Sequence, residues 1–225
     1  MTTQRLSIAI LGGTGAEGSG LAVRWAKAGH RVTLGSRNPA KAANVCAELN
    51  AIVGSEAIGF LDNRSAAAAS DVVVLTVPHA AQRATVEEVR AALIGKILVD
   101  ATVPLVPPKV SRVQLPEGGS AVAAIQALLG DQVRVVSAFQ NVSAHALKEV
   151  GRSVDCDVLV CGDDPAARET VIGLARDIGL RAWHAGPICN STAAEALTSV
   201  LIAINVRYKV PGAGIRITGV SEAPA

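Results

Sequence analysis

The chain has 225 residues, half of them hydrophobic and 18% charged, with a formal net charge of +2. Such a composition supports a sizeable buried core and excludes disorder over most of the length. With aromatics at 2% and no block of Lys and Arg, it lacks the footprint of a nucleic-acid binder, and its short apolar runs supply no membrane span. Met1 to Arg5 is polar and leads into an apolar run, so no signal peptide is expected and a cytoplasmic protein follows.

Short β-branched runs alternate with Ala-rich stretches through the first two thirds. Leu6–Leu11 reads as a strand, Gly15–Ala28 as a helix, Arg31–Leu34 as a strand, Pro39–Ala51 as a helix and Ala57–Leu61 as a weaker strand. Val72–Val77 is a strong strand, followed by a helix from Ala81 to Leu93 and by strands at Ile97–Val99 and Val133–Ser137. Thr102–Pro116 carries four prolines and reads as an extended loop; Gln140–Val154 is mixed. The pattern then restarts. Asp157–Cys161 is a strand, Asp163-Asp164-Pro165 opens a helix to Ile178, Leu180–His184 is a strand, Asn190–Val206 a long apolar helix and Ile215–Val220 an extended tail. The alternation predicts an α/β protein with a Rossmann-like, doubly wound parallel sheet and a smaller C-terminal α/β domain. Residues 1–150 are assigned to the first domain and 151–225 to the second.

The first strand runs into Gly12-Gly13-Thr14-Gly15-Ala16-Glu17-Gly18, a G-x-G-x-x-G loop that opens a helix. In this context Gly13 allows the tight turn, Gly15 lets a pyrophosphate approach the backbone, and Gly18 lets helix meet strand. The helix N-terminus offers free N–H groups to the phosphates, and Thr14 a hydroxyl. Glu17 conflicts with an anion site; it is expected to turn to solvent and contribute only backbone. An NAD site carries an acid about 20 residues beyond the glycines. Gly35-Ser36-Arg37-Asn38 stands there instead. Ser36, Arg37 and Lys41 provide a hydroxyl and two cations for a 2′-phosphate, which points to NADP(H).

No acid–base couple is legible, and no catalytic side chain is assigned. Tyr208 is followed directly by Lys209, so the Tyr and Lys one helical turn apart that short-chain dehydrogenases use are absent. His79, after Thr76-Val77-Pro78 at a strand end, is placed at the cofactor; His30 is read as a surface residue, and His145 and His184 as structural or surface residues. Cys46, Cys156, Cys161 and Cys189 form no C-x-x-C pair and read as free thiols, with no metal site expected. Carbonyl reduction needs a positioned acid, whereas transfer between two redox coenzymes needs chiefly the alignment of two rings.

The residues resemble the NADPH-dependent coenzyme F420 reductases, or F420H2:NADP oxidoreductases, over nearly the whole chain. The resemblance is carried by Ile10-Leu11-Gly12-Gly13-Thr14-Gly15, Leu34-Gly35-Ser36-Arg37, Leu75-Thr76-Val77-Pro78 and Val135-Val136-Ser137-Ala138-Phe139. Further matches are Val160–Asp164, Ala185-Gly186-Pro187 with Asn190, Glu195–Thr198, Asn205 and Gly214–Gly219. It implies hydride transfer between NADP(H) and the deazaflavin F420 in a cleft between a Rossmann domain and a small C-terminal domain. It places Gly13, Thr14, Gly15, Ala16 and Glu17 at the pyrophosphate and Ser36, Arg37 and Lys41 at the 2′-phosphate. Thr76, His79, Arg83, Leu105 and Ala213 line the rest of the NADP site; Ala138, Gln140, Val142 and Asn190 line the deazaflavin pocket. Arg207, Lys209 and Arg216 are candidates for an acidic coenzyme tail. A homodimer acting on small-molecule coenzymes is also implied. Reduction of a flavin, or of a small carbonyl or imine, and a non-catalytic NADP sensor are the alternatives.

Overall fold

The structure, a computed structural model, describes residues 5–220; Met1 to Gln4 of the N-terminal segment discussed above lie outside them. Eight strands form one sheet in the order β3-β2-β1-β4-β5-β6-β7-β8: β1 (Ser7–Leu11), β2 (Arg31–Gly35), β3 (Ile58–Leu61), β4 (Val72–Leu75), β5 (Ile97–Asp100), β6 (Arg134–Ser137), β7 (Asp157–Gly162) and β8 (Arg181–His184). Between them lie α1 (Ala16–Lys27), α2 (Pro39–Val53), α3 (Asn63–Ala68), α4 (His79–Leu93), α5 (Ala121–Leu129), α6 (Ala144–Lys148) and α7 (Pro165–Asp177), and α8 (Ser191–Tyr208) follows β8. The central strands β4 and β5 are buried along their whole length, which is why they read as unbroken Val, Ile and Leu rather than as an alternation.

The sheet is Rossmann-like, with one departure from the parallel expectation. Pairing from β3 through to β6 is parallel, β6 meets β7 antiparallel, and β7 pairs β8 in parallel. Strand direction is set by where the chain returns, and residues 140–156 bring it back without a crossover of the βαβ kind. The sheet is continuous across the expected domain boundary. Trp25 Nε1 in α1 donates to the Leu174 carbonyl of α7 at 2.9 Å. The Trp25 ring meets Phe139 edge-on, with centroids 5.8 Å apart and planes at 81°. One apolar cluster runs from Ile8 to Ala182.

Three short helices, α3, α5 and α6, occupy stretches for which no helix is expected above. Each is started by a side-chain cap: Asp62 accepts from Ser65 N, Ser120 from Ala123 N and Ser143 from Ala146 N. β4 ends two residues before Val77, and α4 begins at His79 rather than Ala81. α6 is held by Arg24, whose guanidinium donates to the carbonyls of Leu147 at 2.8 Å, Ala146 at 3.1 Å, Glu149 at 3.0 Å and Arg152 at 3.0 Å. That anchorage orders the segment read as mixed and presses it onto α1.

His30 is a correction. It is buried, not at the surface: Nδ1 accepts from Leu6 N at 3.2 Å and Nε2 lies 3.0 Å from Asp177 Oδ2. The tail joins no strand ladder but is fixed by β7. Asp157 N donates to the Ile215 carbonyl at 2.8 Å, and Ile217 N donates to Asp157 Oδ2 at 2.8 Å. Cys46, Cys156 and Cys161 are buried free thiols, and Cys189 is exposed. Among the described residues no helix is long and apolar enough to cross a membrane, and no cluster of His, Cys, Asp and Glu is placed to hold a metal ion.

Candidate active site

The strand order reverses between β1 and β4, and the crevice at their carboxyl ends is where such sheets bind ligands. α1 starts there. Its N-cap Gly15 makes no side-chain cap hydrogen bond, whereas α2, α3, α5, α6 and α7 are each capped by a side chain. The first-turn N–H groups of α1 are thus free to meet an anion. The left-handed residue of the loop is Gly12, with φ +85°, rather than Gly13, so the tight turn lies one residue earlier than expected. Gly18 has the close-packing role assigned to it: a Cβ there would stand 2.6 Å from Thr76 Oγ1 and 2.8 Å from Gly13 Cα.

At the end of β2, Ser36 Oγ donates to the Asn38 carbonyl and accepts from Asn38 N, each at 3.1 Å. Asn38 in turn caps α2 by accepting from Lys41 N at 3.0 Å. This turn presents Arg37 and Lys41 at the surface beside Ser36. The three groups selected for a 2′-phosphate therefore stand together on one turn, with no acid among them.

A cavity of about 570 Å³ runs from the α1 N-terminus across the ends of β4, β5 and β6 to the inner face of α8. Gly15, Ala16, Glu17, Thr76, Leu105, Gln140, Val142 and Ala213 line it. Gly13 and Thr14 lie in the adjoining loop and are not part of its lining, nor are His79, Arg83, Ala138 and Asn190. His79 is half-buried at the start of α4; Arg83 is exposed and pairs with Glu87 at 2.9 Å. Ala138 is fully buried beneath the cavity, and exposed Asn190 donates to the Ala185 carbonyl at 2.7 Å. Arg216 forms an ion pair with Asp155.

The cavity also uses α8 residues to which the sequence assigned no role in the site. Thr198, Leu201, Ile202 and Asn205 supply the α8 wall. Thr198 Oγ1 donates to the Gln140 carbonyl at 2.7 Å, and Ala213 N donates to Asn205 Oδ1 at 2.7 Å, so α8 latches both sides of the cleft. Phe139, buried and at φ +75°, turns the chain sharply after β6 and sends Gln140 and Asn141 into the cavity wall. Asp100 lies beneath. Its Oδ2 accepts from Gln82 Nε2 at 2.6 Å and its Oδ1 from Thr102 N at 2.9 Å, and burial pushes its carboxyl up to about 6. An acid at the carboxyl end of a buried strand was the sequence signal for it.

Glu17 does not turn fully to solvent: the residue is half-buried, with one carboxyl oxygen enclosed. Its Oε1 is closed to water and has no hydrogen-bond partner. Burial first, and the Asp100 charge second, push its carboxyl up to about 8.

Unpartnered buried polar atoms are rare in folded proteins. Five occur among the described residues: Glu17 Oε1, Thr102 Oγ1, Gln140 Oε1, Asn141 Oδ1 and Arg181 Nη2. The first four belong to residues lining this one cavity, and the fifth lies 2.6 Å from Asp157 Oδ1 in an ion pair. The amide orientations are fixed by their partners. Gln140 Nε2 donates to the Asp100 carbonyl and to Ser137 Oγ, both at 2.8 Å, and Asn141 Nδ2 donates to the Asp157 carbonyl at 2.7 Å. Their enclosed carbonyl oxygens are left without a donor.

A Rossmann-like sheet, an uncapped glycine-loop helix and a polar-lined cleft at the switch point define a dinucleotide-binding oxidoreductase. The model of the family "NADP oxidoreductase coenzyme F420-dependent" matches residues 7–104. The F420-dependent NADP reductase of Methanothermobacter thermautotrophicus is 42% identical over 96% of this chain and 97% of its own length. That of Methanocaldococcus jannaschii is 42% identical over 95% of this chain and 98% of its own. The chain belongs to the F420-dependent NADP reductase family. A crystal structure from Arthrobacter sp. FB24, provisionally described as such a reductase, covers 95% of this chain and 99% of its own with a TM-score of 0.79 and 26% identity.

Proposed function

We propose that the protein transfers hydride between NADP(H) and coenzyme F420 in this cleft. The observation that carries the reading is the gathering of four unpartnered polar atoms around one cavity beside an uncapped helix start. The chemistry resides in the two coenzymes, which exchange hydride between the nicotinamide C4 and the deazaflavin C5. The chain's task is to hold two flat rings in contact and keep water out.

The residues present suit both. The first turn of α1, with Gly13, Thr14, Gly15, Ala16 and Glu17, takes the pyrophosphate. Ser36, Arg37 and Lys41 take the 2′-phosphate as a charged fork, a second cation and a hydroxyl. Thr76, Leu105 and Ala213 flank the nicotinamide end. Gln140 Oε1 and Asn141 Oδ1 are pure acceptors, suited to the N–H donors of a carboxamide or of the pyrimidine edge of a deazaflavin. Val142 adds apolar surface for a ring. In this reading residues 151–225 act as the smaller unit that closes the cleft, through α8 and the Ala213 segment. The homodimer implied by the resemblance would use exposed apolar residues of α8, Val200, Ile204, Val206 and Tyr208.

The test is to mix the purified protein with NADPH and oxidised F420 and follow the loss of deazaflavin absorbance. NADPH deuterated at C4 should deliver its label to the deazaflavin C5. Turnover with free flavin but none with F420 would overturn the assignment.

A further inference from the structure

One titratable group in the cleft has no part in holding the fold or in moving hydride. Glu17 is the second residue of α1, where the dipole ordinarily favours an ionised carboxylate. Here the half-buried side chain lines the cavity, Oε1 is enclosed, and no donor reaches it.

No cation compensates it. Asp100, from β5, is the charge that acts on it, and it has the same sign. On α6 the exposed His145 ring lies 3.2 Å from Glu149, and Lys148 is exposed. Arg24, on α1 itself, is spent on α6 carbonyls. α2 brings only exposed Lys41 and Glu48, β2 the exposed Arg31, and the start of α4 His79 and the Glu87-paired Arg83. The α8 wall of the cavity, Thr198, Leu201, Ile202 and Asn205, is uncharged, and Glu195 behind it is engaged at the start of α5. Within the acid pair, Asp100 accepts hydrogen bonds from Gln82 and Thr102 and so ionises first, which leaves the proton on Glu17.

A dinucleotide pyrophosphate brings further negative charge to the same helix turn. An ionised Glu17 would repel it in a site of low dielectric, whereas the neutral acid can donate its O–H to a ligand oxygen. Resting on the reading of this cleft as an NADP(H) site, we propose that Glu17 binds the cofactor as a neutral carboxylic acid, so that its proton is a component of the site and its ionised form excludes the dinucleotide. Glu17 is thereby a binding residue through its side chain and not only through its backbone.

The test is the NADPH dissociation constant, read by cofactor fluorescence between pH 7 and pH 9.5, for the wild type and for Glu17→Gln. The cofactor's 2′-phosphate titrates near pH 6, below this window. If only the protonated form binds, the wild-type constant rises about 30-fold over the range. Glu17→Gln, a neutral isostere that cannot ionise, should show no pH dependence of its dissociation constant up to pH 9.5, whatever its value at pH 7. Calorimetry of the wild type at pH 9, in two buffers of different ionisation enthalpy, should register uptake of about one proton per NADPH bound. A wild-type constant that does not change with pH, or a variant with the same slope as the wild type, would overturn the proposal and leave the NADP site standing. Failure of NADPH to bind at any pH would overturn the site reading and this proposal with it.

Discussion

Glu195 reaches from α8 to the start of α5, where its Oε1 accepts from Ser120 Oγ at 2.6 Å. Its Oε2 accepts from Ala121 N at 2.8 Å, and Val122 N lies 3.2 Å from Oε1. One buried carboxylate thus satisfies the first-turn donors of another helix and sets where α8 stands over the cleft. Glu195→Ala leaves those donors dry and should cost about 2–4 kcal/mol of stability, read as a fall in the urea midpoint. Glu195→Gln keeps one acceptor oxygen and should cost roughly half as much. Equal midpoints for the wild type and Glu195→Ala would show that the cap is dispensable.

Arg37 is exposed beside Ser36 and Lys41, and only NADPH carries a group for it to meet. NADPH should bind at least about tenfold more tightly than NADH, a difference of about 1.4 kcal/mol. Arg37→Ala should weaken NADPH by about 1.5–3 kcal/mol and leave NADH within roughly twofold. Fluorescence titration of both cofactors decides it; an equal loss for the two would make Arg37 a support of the loop alone.

Gly18 and Gly173 give opposite expectations for the same change. A methyl at Gly18 meets Thr76 Oγ1 at 2.6 Å and Gly13 Cα at 2.8 Å, whereas at Gly173, inside α7, nothing lies within 4 Å. Gly18→Ala should destabilise by about 1–3 kcal/mol and weaken NADPH, because the glycine loop must shift. Gly173→Ala should stabilise by about 0.5–1 kcal/mol, the helix-interior cost of glycine. Thermal unfolding with and without NADPH reads both.

Asp100 predicts a pH dependence of stability with a definite sign. Burial raises its carboxyl from 3.8 to about 6, so the folded state holds the proton more tightly than the unfolded state. The stability from this group is therefore complete below pH 4 and is lost as pH rises through 6, by about 3 kcal/mol in all. Asp100→Asn lacks that loss. The wild type minus variant stability should fall between pH 4 and pH 7 and be level above. A difference that stayed constant across this range would mean that Asp100 titrates normally.

Local sequence is enough to read the alternation that builds the sheet, the glycine loop and the choice of NADP over NAD. These are local facts: a buried parallel strand needs a short apolar run, a pyrophosphate needs glycines at a helix start, and a 2′-phosphate needs cations where an acid would otherwise stand. The family was legible too, because its motifs lie along the whole chain. Tertiary structure alone decided the rest, since it depends on residues far apart in the chain. α3 and α6 are too short to show a period; each is started by a side-chain cap, and α6 is held by Arg24, which reaches Leu147 from 123 positions away. The reversed β7 follows from the path of the returning chain, which no local pattern records. His30 was read as a surface turn, yet it is buried because Asp177, 147 positions later, closes over it. Local reasoning sends the Glu17 acid to solvent, away from a phosphate. The fold instead sets its half-buried side chain in the wall of the cleft, where burial and the Asp100 charge push its carboxyl up to about 8. Whether a carboxyl is a charge or a neutral acid is set by what surrounds it, and those surroundings come from distant parts of the chain.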